Sequence, residues 1–323
     1  MVALVVAFLV GGCGGDGDEP SAEIEPETSS GVQQEPDAAA DPQASDFPEP
    51  EGRTLQELAD LSKPGINFAP ATTHFATGPS RVAFGLIDAN NEFVYAPSAV
   101  YIGRTPDDRA AGPYPAPADS LITEQRFRSQ QAATEEDAIA SIYSTEVDLP
   151  VSGQYAVLVL TRAGDELYGS TAQIEVVAND SIPAPGERAP AVETDSLESA
   201  GQIEAIDTRE PPSDMHSNFA DVVGERPVAL LFATPALCES RVCGPVTDIA
   251  LQLEEEYGDR MEFIHQEVFV DNDVNEGYRK PLLDFGLQTE PWLFTFDGQG
   301  RVVTRLEGSF GLGEFEEAVQ AAL

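Results

Sequence analysis

Val228-Ala229-Leu230-Leu231-Phe232-Ala233-Thr234-Pro235-Ala236-Leu237-Cys238-Glu239-Ser240-Arg241-Val242-Cys243-Gly244-Pro245 is the stretch on which the fold turns. Its first six residues form a continuous apolar run of the length and type of a strand buried on both faces. Two cysteines follow with four residues between them, and then a Gly-Pro pair that suits the opening of a helix. From Pro245 to Tyr257 the apolar residues Val246, Ile249, Leu253 and Tyr257 recur at helical spacing. Upstream, Ser217–Val223 reads as a short helix with Ser217 as N-cap and Gly224 closing it. Downstream come a strand over Met261–Val270 and a helix over Gly277–Phe285. A hairpin of Trp292–Phe296 with Val302–Leu306 turns at Asp297-Gly298-Gln299-Gly300, and Phe315–Leu323 is a closing amphipathic helix. The order is α-β-α-β-α-β-β-α.

Across all 323 residues, 57 acidic against 17 basic side chains give a net charge of −40. Such a surface repels phosphate backbones, which excludes nucleic-acid binding. Met1 to Val10 is almost wholly apolar and runs into Gly11-Gly12-Cys13, so residues 1–12 read as a signal peptide too short to span a bilayer as a helix. Leu9-Val10-Gly11-Gly12-Cys13 resembles a bacterial lipobox, which implies lipid on Cys13 and a protein anchored to the cell membrane on its extracytoplasmic face. With Cys13 assigned to lipid, Cys238 and Cys243 are left to each other, in surroundings that permit a disulfide. Residues 13–62 are expected to form a disordered acidic tether, with no Lys or Arg between Cys13 and Arg53 and a short helix at Thr54–Leu61.

Residues 63–178 carry short alternating runs at Arg81–Ile87, Glu92–Tyr95, Ala99–Gly103, Ile142–Leu149, Gln154–Thr161 and Thr171–Val177, with turn residues between them. That pattern predicts an all-β sandwich, interrupted by a long loop over Thr105–Ser141. Pro150-Val151-Ser152-Gly153-Gln154-Tyr155-Ala156-Val157 resembles the tyrosine corner of immunoglobulin-like domains. Residues 179–204 hold Pro183, Pro185 and Pro190 without sustained periodicity and read as a linker. Residues 205–323 are the second domain, so the expected class is multidomain: an immunoglobulin-like β-sandwich followed by an α/β fold.

That α/β fold resembles the thioredoxin superfamily on three local matches over Met215–Leu323. Leu230-Leu231-Phe232-Ala233-Thr234 leads into a cysteine, Pro245-Val246-Thr247-Asp248 opens a long helix, and Thr289-Glu290-Pro291-Trp292-Leu293-Phe294 precedes a Gly-tipped hairpin. The resemblance implies that Pro291 is cis and faces the cysteines. A helix N-terminus offers unpaired N–H groups and partial positive charge, which favour thiolate over thiol. Thiolate is the attacking species in disulfide exchange, so Cys238 is expected to be reactive near neutral pH. The family's usual spacing is Cys-x-x-Cys. Residues five apart on a straight helix point about 140° away from each other, and their Cα atoms exceed the roughly 7 Å limit for a disulfide. A bond between Cys238 and Cys243 therefore needs an irregular first turn. Cys243-Gly244-Pro245-Val246 offers a second alignment, with Cys243 in the leading position.

Three functions stay open at this level. One is a thiol–disulfide oxidoreductase acting on exported proteins or a redox partner, with Cys238 attacking and Cys243 resolving. Another is a non-enzymatic surface binding module stapled by a structural disulfide. The third is a peroxiredoxin-like peroxidase of the branch that uses this cysteine spacing, although Pro235 stands where that branch has Thr. No bound cofactor is implied, because the cysteines themselves carry the electrons. His265 beside both cysteines would suit a copper site, but a hydrogen-bonded strand histidine is the simpler reading. His74 and His216 are isolated in the sequence. Asp271-Asn272-Asp273 lacks the glycine and downstream glutamate of a calcium loop and reads as a solvated turn.

Overall fold

A computed structural model describes residues 39–133 and 139–323; the apolar stretch 1–12 and Cys13 lie outside them. Nine strands come first: β1 (Ile66–Pro70), β2 (Phe75–Ala76), β3 (Gly78–Asp88), β4 (Ser98–Gly103), β5 (Ala111–Pro115), β6 (Ala118–Ser120), β7 (Ser141–Leu149), β8 (Gly153–Ala163) and β9 (Glu166–Val177). They form a sheet of order β1-β3-β7-β6 and another of order β2-β9-β8-β4-β5. Val82, Phe84, Leu86, Tyr143 and Val147 of the first sheet meet Val100, Ile102, Tyr155, Val157 and Val159 of the second in one core. The Tyr155 hydroxyl accepts a hydrogen bond from the Val151 amide across the preceding turn.

Glu92–Tyr95, expected as a strand, contributes only an isolated bridge between Phe93 and Ile87. The expected long loop over Thr105–Ser141 contains β5 and β6. Both are short edge strands, and Pro113 and Pro115 of β5 sit where a missing ladder donor is tolerated. The end of the expected tether is folded. Helix α1 (Leu55–Ala59) is capped by Thr54, whose side chain accepts from the Glu57 amide while Glu57 answers to the Thr54 amide. Leu55, Leu58 and Phe47 are buried against Tyr101 and Leu158. Three apolar anchors outweigh an acidic, proline-rich composition.

The second half runs through α2 (Leu197–Ala200), α3 (Phe219–Val222), β10 (Val228–Phe232), α4 (Cys243–Tyr257), β11 (Glu262–Gln266), α5 (Lys280–Asp284), β12 (Trp292–Phe296), β13 (Val302–Glu307) and α6 (Leu312–Ala322). The sheet order is β11-β10-β12-β13, with β11 parallel to β10 and β12 and β13 antiparallel. A βαβ unit followed by a hairpin and a closing helix is the thioredoxin-like topology. Residues alternate along β10. Val228, Leu230 and Phe232 face one core with Phe285, Phe294 and Phe296. Ala229, Leu231 and Ala233 face another with Val246, Ile249, Phe315 and Val319. Burial on both faces is why β10 reads as an unbroken apolar run. The stretch read as a linker lies on the first of these cores, where Ile182 and Val192 are buried.

The two halves belong to one compact unit. Arg81 of β3 pairs with Glu314 of α6 and donates to the carbonyls of Glu307 and Ser309. Thr73 donates from its amide and its hydroxyl to the Glu307 carboxylate, each at 2.8 Å. The α6 N-terminus has no side-chain cap of its own; Asp119 of β6 accepts from the Gly313 and Glu314 amides. At Gly308 (φ +78°) an added Cβ would lie 1.6 Å from the Ala71 carbonyl oxygen, so the approach requires glycine.

Candidate active site

Cys238 and Cys243 are joined in a disulfide with their Cα atoms 6.0 Å apart. The irregularity that the spacing demanded is present. Helix α4 begins at Cys243, Cys238 lies in the turn before it, and Arg241 between them adopts φ +61°. Pro245 is thus the third helical residue rather than the first, still within the turn whose amides have no helical partner.

Two attributes expected of one sulfur fall on different ones. Cys243, not Cys238, holds the helix N-terminus and is fully buried. Cys238 is half-buried, and its Sγ lies 3.2 Å from the Ser240 hydroxyl. The sequence expectation that set Cys238 at the helix mouth is corrected here, because the four residues Glu239–Val242 separate it from the first helical turn.

The Glu290-Pro291 peptide is cis, the geometry that the resemblance implied. Glu290 lies beside the cysteines, with Oε2 3.6 Å from Cys243 Sγ. A disulfide sulfur has no proton, so this is a contact in the oxidised state; a Cys243 thiol would donate to the carboxylate. Burial pushes the Glu290 carboxyl up to about 8, against the pull of the Thr234 amide and of His265. It therefore titrates in the range where thiols exchange protons. No sequence motif marks Glu290; only its place before the proline beside the hairpin could have suggested it.

His265 of β11 is not gathered with the cysteines. Its Nε2 lies 3.0 Å from the Ala233 carbonyl oxygen and its Nδ1 3.6 Å from Asp207 Oδ2. The same carboxylate oxygen lies 3.0 Å from His216 Nε2 and accepts from the amide and hydroxyl of Ser213. Burial opposes charge on both partners. Even so, Asp207 holds His265 up at about 9, while His265 and His216 hold Asp207 well below the usual carboxylate range. This buried cluster, which joins the 207–216 stretch to β11, is invisible in the sequence. His74, also isolated there, pairs with Asp180 at 3.1 Å.

No protein-family model matches the chain, and no curated protein matches it. Solved structures do. A structure described as the thiol:disulfide interchange protein DsbE from Chlorobium tepidum is 15% identical, over 43% of this chain and 98% of that one, with a TM-score of 0.32. A thioredoxin-family thiol:disulfide interchange protein from Chlorobium tepidum TLS is 16% identical, over 45% and 99%, with a TM-score of 0.29. The thioredoxin domain of a thiol-disulfide oxidoreductase from Bacteroides vulgatus is 16% identical, over 42% and 98%, with a TM-score of 0.28. The thioredoxin-like assignment rests on the strand order of this chain.

Proposed function

We propose that this protein is a membrane-tethered, extracytoplasmic thiol–disulfide oxidoreductase acting on exported proteins through Cys238 and Cys243. The observation that carries the reading is the joint placement of an accessible sulfur, a buried sulfur at a helix N-terminus and a titrating carboxyl 3.6 Å from the latter. In the oxidising direction a substrate thiolate attacks Cys238 Sγ, forming a mixed disulfide and breaking the Cys238–Cys243 bond. Cys243 departs as a thiolate eased by the helix N-terminus and takes a proton from Glu290. A second substrate thiolate then attacks the mixed disulfide at the substrate sulfur. The substrate leaves as a disulfide and both protein cysteines are reduced, a transfer of two electrons. The reducing direction is the reverse: Cys238 thiolate attacks a substrate disulfide, and Cys243 resolves after giving its proton to Glu290.

The sandwich is best read as an immunoglobulin-like module. Its order β1-β3-β7-β6 and β2-β9-β8-β4-β5 follows the A-B-E-D and A′-G-F-C-C′ plan, and the Tyr155 hydrogen bond supports it. Anchoring rests on the lipobox resemblance at Cys13: a Cys13→Ser variant should lose membrane fractionation, and equal retention would refute the anchor. Trapping tests the chemistry. Cys243→Ser should accumulate a mixed disulfide through Cys238, while Cys238→Ser should trap nothing. The reverse pattern would assign attack to Cys243, and a pair inert to thiols would leave a structural staple.

A further inference from the structure

Beside the disulfide lies a cleft of about 250 Å³ whose two walls come from different halves of the chain. Ser240, Val242, Glu290 and Pro291 line it on the thioredoxin-like side; Ala69, Pro70, Ala71, Gly85, Phe93 and Ile142 line it on the sandwich side. Phe93 is seated on Gly85 so closely that a Cβ there would come within 2.8 Å of its Cε1. The bare glycine therefore gives the ring its place. Glu307, also at the cleft, has its carboxylate engaged by the Thr73 amide and by the hydroxyls of Thr73 and Thr289. Among the described residues, no Lys, Arg or His lines the cleft.

We infer that the β-sandwich supplies the specificity wall of the exchange site, and that the cleft takes an extended peptide carrying an apolar side chain next to its reactive cysteine. Three observations lead to that occupant. The cleft is continuous with the disulfide loop, because Ser240, 3.2 Å from Cys238 Sγ, is part of its lining. A peptide sulfur brought to Cys238 therefore carries its neighbouring residues along the sandwich wall. Apart from Thr73, whose amide and hydroxyl are engaged by Glu307, that wall is formed of alanine, proline, glycine, isoleucine and phenylalanine, which reward apolar surface. An acidic side chain would meet no counter-charge there and would face Glu290, a carboxyl whose burial already favours its neutral form. The size suits one or two side chains rather than a cofactor, which typically needs about 300–1,000 Å³.

This inference rests on the exchange reading, so the test separates the two. Short peptides with Leu, Asp or Lys beside a single cysteine are reacted with the oxidised full chain, and mixed-disulfide formation is timed. The Leu peptide should react about tenfold faster than the Asp or Lys peptide, the low end of what added apolar bulk gains in a fitted pocket. Phe93→Ser should collapse that ratio, and Ala71→Lys, which sets a cation in the wall, should turn it toward the Asp peptide. Equal rates for all three peptides in the unaltered chain would overturn the inference while leaving exchange intact. The same peptides with serine for cysteine are also titrated by calorimetry. Preferential binding of the Leu peptide, lost in Phe93→Ser, would uphold the wall even if no exchange occurred; no preference in either assay would reject it.

Discussion

Two carboxylates, the buried Asp207 and the half-buried Glu290, are built oppositely. Asp207 is saturated: its Oδ2 takes the Ser213 amide and hydroxyl and His216, its Oδ1 takes the Arg209 amide, and His265 supplies a counter-charge. Glu290 is under-partnered, and its close neighbour is a sulfur whose protonation changes with redox state. Saturation holds the first as an anion, whereas burial with few donors keeps the second near its titration point. One carboxylate fixes architecture, and the other is left able to move a proton.

The sharpest way to break this contrast is to remove the saturated member. Asp207→Asn leaves His265 without its counter-charge in a fully buried site and should cost on the order of 3–5 kcal/mol of stability by urea unfolding. A loss below about 1 kcal/mol would show that the cluster does not hold the two segments together. Glu290→Gln should act on the other axis. Exchange should slow by about a hundredfold, the low end of what a positioned general acid–base contributes, with an unfolding midpoint little changed near pH 4, where the carboxyl is largely protonated in both states. Equal damage to folding and exchange would erase the distinction.

A pH series sharpens the comparison further. His265 titrates at about 9 in the folded chain and near 6.5 when unfolded, so its contribution is full below about 6.5 and is lost as pH rises to 9. That contribution is on the order of 3 kcal/mol. Glu290 has a raised folded value of about 8, so the folded state keeps a proton that the unfolded state releases from about 4.5 upward. Both groups therefore make stability fall with rising pH, most steeply between about 6.5 and 8. Asp207→Asn should remove the part reaching toward 9, and Glu290→Gln the part below 6.5. A flat profile across that window would reject both assignments.

The smallest effect belongs to Asp119, a carboxylate that neither anchors a cluster nor meets a sulfur. Asp119→Ala should cost about 1 kcal/mol, the usual worth of a helix cap. Amide exchange should rise at Gly313 and Glu314 and not in α4.

The elements that could be read from sequence were those whose signal is local. The run at β10, the glycine-tipped hairpin of β12 and β13, and the spacing of Val246, Ile249, Leu253 and Tyr257 in α4 each declare themselves within a dozen residues. So does the short helix expected at Thr54–Leu61, found as α1. Strands β5 and β6 were hidden by Pro113, Pro115 and Pro117 in and between them, and Phe47, Leu55 and Leu58 by the acidic composition around them. Of the site, the cysteine pair and Pro291 were legible as motif positions. Glu290 was not, because its role comes from a contact with a residue 47 positions earlier. Nor was the Asp207 cluster, in which residues of the 207–216 stretch acquire meaning only together with His265 of β11.

The cap that Asp119 places on α6 also bears on the order of assembly. A chain made from its N-terminus exposes β6 about two hundred residues before α6 leaves the ribosome, and domains generally fold as they emerge. The last helix therefore meets acceptors already fixed on a finished surface. A fragment beginning after the sandwich would instead leave those amides to water, and its closing helix would fray at the end that seals the core.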